Sequence, residues 1–205
     1  MTTAVQPAAG TRNDVRTIVG GGVKLGVITA VGVAAFALLS RVMAGTVEIL
    51  VQSLLVLAGG LVFAYLPAVW VRPRDADSIA WASLVGLLGA LVFTVVDTAV
   101  LRPLDLYHRT WDQVGGGSGF WYIPVWWMGS AVLAWLGSWI IAIAGRGDRT
   151  APLGATAGAT AGLAVVLFAL LVIAGIGPFH SAIAALAFGL ALVVHVPLAS
   201  MLARR

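Results

Sequence analysis

Any chemistry in this chain falls to a small set of residues, because it has three histidines, eight acidic residues and no cysteine. Without cysteine there is no disulfide, thiolate metal site, iron–sulfur cluster or cysteine nucleophile. Asp105, His108 and Asp112 have the spacing of a metal site. His108 lies one helical turn from Asp112 and three residues after Asp105, which brings an imidazole and two carboxylates together on a helix. Such a set suits zinc, copper or iron, though solvated Asp105–Arg109 and His108–Asp112 pairs use the same spacing. His180 and His195 lie about 22 Å apart along a single helix, a separation at which diheme membrane cytochromes place ligands. Each bis-histidine haem needs a second ligand, and only His108 remains, so a haem here would be shared between subunits. His195 also precedes Pro197, whose ring frees the carbonyl of Val193, and it is expected to be hydrogen-bonded at that kink. The sequence specifies no cofactor.

The other candidates are isolated polar residues within apolar surroundings: Asp97 beside Thr94 and Thr98, Glu48 followed one turn later by Gln52, and His195. Charges inside hydrocarbon are expensive and therefore point to function. Asp97 has a plainer expectation, a salt bridge to Arg102 or a hydrogen bond to a threonine, and Glu48 that of an interfacial carboxylate. Gly116-Gly117-Ser118-Gly119 resembles the Gly-x-Ser-Gly signature of rhomboid proteases over four residues. The chain departs from that family in its short first connection, in having no histidine or asparagine in the second apolar segment, and in placing Ser118 within a glycine hinge.

Six apolar segments must position these groups: Ile18–Ser40, Ile49–Val71, Ile79–Leu101, Phe120–Ala144, Leu153–Ile176 and Ser181–Leu202. Each is long enough as a helix to cross a hydrocarbon core of about 30 Å. Composition agrees, with 60% hydrophobic and 10% charged residues and a mean hydropathy of +1.02, beyond what a soluble core can hide. The expected fold is all-α, a six-helix polytopic membrane domain over residues 17–203, preceded by a disordered cytoplasmic stretch, 1–16. Met1–Asn13 lacks the apolar region of a signal peptide, so the first helix is expected to stay as an anchor.

Six crossings leave both termini on one side. That side then holds Arg12, Arg16, Lys24, Arg72, Arg74, Arg146, Arg149, Arg204 and Arg205, against Arg41, Arg102 and Arg109 on the other. The positive-inside bias places both ends in the cytoplasm, in a bacterial plasma (inner) membrane. The net charge of +4 therefore reads as a topology and lipid signal rather than a nucleic-acid footprint.

The loop 102–119, on the expected extracytoplasmic side, carries Leu104, Tyr107, His108, Trp111 and Val114 at helical spacing, which predicts a short interfacial helix. Phe120, Trp121, Tyr122, Trp126 and Trp127 follow as an aromatic belt. With Glu48, Asp97 and His180 at the same level, Trp111, Trp121, Trp126 and Trp127 are the expected contacts for a ligand or partner. Gly154, Gly158 and Gly162 make a smooth stripe on helix 5, and Ser130, Ala134, Ser138 and Ala142 make another on helix 4, predicting that the two helices seat against each other or that one stripe faces another subunit. The expected role is that of an accessory subunit of a membrane complex, with other membrane subunits and lipid as partners. The alternatives are a small transporter or binding component for a neutral or lipophilic ligand, and a metal- or haem-binding oxidoreductase subunit.

Overall fold

The structure, a computed structural model, describes residues 14–107, 122–145, 152–177 and 179–203. They form α1 (Val15–Val42), α2 (Gly45–Val71), α3 (Ala76–Val96) ending in a π-helical turn (Asp97–Leu101), α4 (Tyr122–Ala144), α5 (Leu153–Ile173) and α6 (Ser181–Leu202). Six spans of 21 to 28 residues are long and apolar enough to cross a membrane, which makes the chain a multi-pass, all-α membrane protein. Their boundaries follow local chemistry. Asp14 caps α1 by accepting from the Thr17 amide at 2.9 Å. Asp75 caps α3 in a reciprocal box, accepting from the Ser78 amide at 2.8 Å while the Ser78 hydroxyl accepts from the Asp75 amide at 3.0 Å. α5 stops at Ile173, short of the Ile176 expected, where Gly175 takes a positive φ of 69°.

α2 touches all five other helices and forms the hub. α1, α3 and α4 pack around one side of it, while α6 packs on the other and carries α5. Close backbone approach makes these contacts possible. A methyl group added at Gly26 of α1 would stand 2.6 Å from Val92 Cβ and 2.7 Å from the Gly89 carbonyl oxygen of α3. Gly22 meets Leu88 in the same way, so Gly22 and Gly26, four residues apart, let the parallel helices α1 and α3 touch. On the far side of α3, a methyl at Gly86 would meet Ala134 Cβ at 2.6 Å and the Ser130 carbonyl oxygen at 2.8 Å.

The helix 4 stripe is thus buried, with Ser130, Ala134 and Ser138 at 2%, 0% and 0% exposure. Its partner differs from the expected one. Ser130 and Ala134 face Gly86 of α3, and the neighbouring Gly137 lies against the Ala64 backbone of α2. Helix 5 barely touches helix 4, and methyl groups added at Gly154, Gly158 or Gly162 would meet nothing within 4 Å. The reason is the opposite face of α5, where Thr156, Thr160 and Ala164 are buried. That face lies about 200° around the helix from the glycines, so turning the threonines inward turns the glycines outward.

Gly26→Leu should overpack the α1–α3 contact and cost about 1–3 kcal/mol, seen as a lower unfolding midpoint in detergent. The Asp75 carboxyl is held below its ordinary value of 3.8, chiefly by the Ser78 hydroxyl. Its stabilising effect is therefore full above the unfolded value and fades as pH falls through the lower folded one. Between about pH 5 and pH 2 the wild type should lose more thermal stability than Asp75→Asn.

Candidate functional site

The polar residues singled out in the sequence gather into two clusters at the end of the bundle opposite the described termini and a third within it. In the first, Asp97 opens the π-helical turn and is 2% exposed. Its carboxylate accepts from Arg102 Nε at 3.0 Å and from the Tyr107 hydroxyl. The expected ion pair with Arg102 is present, and Tyr107 is a partner that the sequence did not indicate. Arg102 itself is 40% exposed in its side chain. Nearby, Trp127 Nε1 donates to Thr94 Oγ1 at 3.1 Å, and the Trp126 ring lies 5.9 Å from that of Phe93. These two tryptophans tie α4 to α3. Trp111 and Trp121 lie outside the described residues.

The second cluster joins α1, α2 and α6. Gln52, 9% exposed, donates from Nε2 to Ser40 Oγ at 2.9 Å and to Glu48 Oε1 at 2.8 Å, and its Oε1 accepts from Ser181 Oγ at 3.2 Å. Glu48 is half-buried and spends one oxygen on Gln52. His180 is exposed and caps α6, its Nδ1 accepting from the Ala182 amide at 3.1 Å. The last turn of α1 connects the two clusters, because Ser40 serves Gln52 while Arg41 donates to the Asp105 carbonyl oxygen.

Asp105 does not sit on a helix with the spacing a metal site requires. It has a φ of 49° in a turn after the π-helical segment, and the rest of the expected interfacial helix, from His108 on, lies outside the described residues. His108, Asp112 and the Gly116–Gly119 motif lie outside the described residues, and no group of three metal-binding side chains occurs among the described ones.

The third cluster is buried within the bundle and includes two residues missed in the sequence. Tyr65 of α2 is 3% exposed and Thr160 of α5 is 0% exposed, and their hydroxyls are hydrogen-bonded. Thr160 Oγ1 also lies 2.7 Å from His195 Nδ1 of α6, and bonds its own helix through the Thr156 carbonyl at 3.2 Å. His195 is therefore held by a neighbouring helix rather than at the Pro197 kink. A threonine satisfies its own helix and presents a hydroxyl to two others, so one residue locks three helices together. The threonine pair within GATAGATAG was the available signal, overshadowed by the glycines around it.

Elsewhere, an open groove of about 290 Å³ runs along the outer face between α3 and α4, lined by Ser83, Ala131, Val132, Trp135 and Leu136. Its polar floor is satisfied, since Ser83 Oγ donates to the Ala131 carbonyl at 2.9 Å.

The arrangement can hold helices in register and fix the 102–107 turn onto the bundle. Comparison of the chain with protein-family models, curated proteins and solved structures gives no match.

Thr160→Val should uncouple Tyr65 and His195 at nearly constant volume. A loss of about 0.6–1.7 kcal/mol is expected, measured by unfolding in mixed micelles, and Tyr65→Phe combined with it should add little.

Proposed function

We propose that this protein is a structural, accessory subunit of a larger membrane assembly, held in a bacterial plasma membrane with both termini in the cytoplasm. The observation that carries this reading is the bare face of α5. Gly154, Gly158 and Gly162 repeat at every fourth residue, and among the described residues none has a neighbour within 4 Å of where a side chain would begin. A strip of this kind lets another backbone approach closely, and lipid tails gain little from it compared with a helix. The large exposed residues that continue along α5, Val165, Val166, Leu170 and Ile173, extend the surface that a partner helix would cover. α5 is also peripheral, with α6 as its main support.

The use of the intramembrane polar groups supports the same reading. Gln52, Thr160 and Tyr65 are engaged in bonds between helices, which stabilise a framework rather than receive a solute. The orientation rests on Arg16, Lys24, Arg72 and Arg74 near the end that carries the termini, against Arg41 and Arg102 at the other. The aromatic side chains Trp126 and Trp127 and the 102–107 turn would then face outside the cell and meet a partner's extracytoplasmic part.

Gly158→Leu tests this directly. The substitution has open space, so the chain itself should fold normally, while co-purifying subunits or self-assembly in gentle detergent should be lost. If assembly size and yield both match the wild type, α5 does not carry the contact.

A further inference from the structure

α1 carries two cations on a face that none of the other described helices covers. Arg16 and Lys24 are both exposed, and their eight-residue separation puts them on one side of the helix, about 12 Å apart along its axis. Gly20 lies between them, and a methyl group added there would meet nothing within 4 Å. The flanking surface is apolar and open: Val19, Val23, Val27 and Val31 are 49%, 46%, 49% and 65% exposed. Behind it, Ile18, Gly22, Leu25 and Gly26 are buried.

Lys24 stands nine residues inside α1, about 13 Å from Val15. An ammonium held at that depth against hydrocarbon is unfavourable. Side chains on a helix lean toward its N-terminus, so the flexible lysine stem carries the charge back over the hollow at Gly20, toward the near membrane surface. Arg16 waits two turns below, where lipid headgroups lie. Neither cation has an acidic partner among the described residues, and Asp14, close by in sequence, is committed to capping Thr17.

We propose that Arg16, Gly20 and Lys24 form a seat for the phosphate of an anionic phospholipid, with an acyl chain lying along Val23, Val27 and Val31. Charge complementarity selects the headgroup, because two cations separated by a residue without a side chain leave room for a bulky anion between them. The direction of the lysine stem, toward the surface where phosphates are fixed, favours lipid over a carboxylate buried in a partner helix. This seat depends on the chain lying in a membrane and not on what covers α5.

The test uses the purified full chain in neutral detergent, titrated with phosphatidylglycerol, with phosphatidylcholine of the same chains, or with inorganic phosphate, and read by thermal unfolding. Phosphatidylglycerol should raise the midpoint more than phosphatidylcholine does, and inorganic phosphate should leave it unchanged. Arg16→Gln and Lys24→Gln should each weaken the apparent affinity for phosphatidylglycerol roughly fivefold. Gly20→Leu, placed in open space, should fold and yet lose the preference by filling the hollow. Equal shifts with the two lipids, an equal shift with inorganic phosphate, or an undiminished preference in Lys24→Gln and Gly20→Leu would each overturn the proposal. Loss of a co-purifying chain from Lys24→Gln with the lipid preference intact would overturn it too, assigning the lysine to a protein carboxylate.

Discussion

Hydrocarbon supplies no hydrogen-bonding partner, and that constraint determines which faces of α5 and α6 turn inward. Thr160 must be satisfied within the protein, and it finds Tyr65 and His195 on two other helices. Gln52 does the same with Ser40, Glu48 and Ser181. Once these two residues are placed, α5 and α6 have little rotational freedom about their axes. The exposed glycine face of α5 is then a geometric consequence of the threonine face, because the two lie on opposite sides of one helix.

Packing supplies the second level of order. Apolar side chains gain little from leaving lipid for the bundle, so close contact between backbones replaces the hydrophobic effect as the force between helices. Gly22 against Leu88, Gly26 against Gly89, Gly86 against Ser130, and Gly137 against Ala64 are the points where this occurs. They link α1 to α3, α3 to α4 and α4 to α2. Ser138 shows the preference for small size plainly: its hydroxyl is wholly buried and has no hydrogen-bond partner among the described residues.

Much of this fold was legible in the sequence and much of the site was not. Apolar length alone places all six helices, because a bilayer imposes a minimum span that few other patterns meet. Asp97 and its pairing with Arg102 were legible too, since the two are close along one chain segment. Rotation about each helix axis was not legible. GATAGATAG is the most regular small-residue pattern in the chain, yet the contacts use the less regular Gly22, Gly26, Gly86 and Gly137. Regularity reports that a face is smooth and says nothing of what lies opposite. Tyr65 and Thr160 escaped notice for a related reason, being 95 residues apart and individually unremarkable. The left-handed turn at Asp105 was hidden as well, because the apolar periodicity continues through it.

The pairing of α1 with α3 also bears on how the molecule is made. α1 finds its closest partner in the third helix and not in the second, although the second follows it directly. Until α3 has been synthesised, the grooves at Gly22 and Gly26 lack the Leu88, Gly89 and Val92 that fill them. The first hairpin therefore enters the bilayer as an unfinished unit. The α1 groove is filled only once α3 lies alongside α1 in the same direction, its Asp75 cap at the same end as the start of α1.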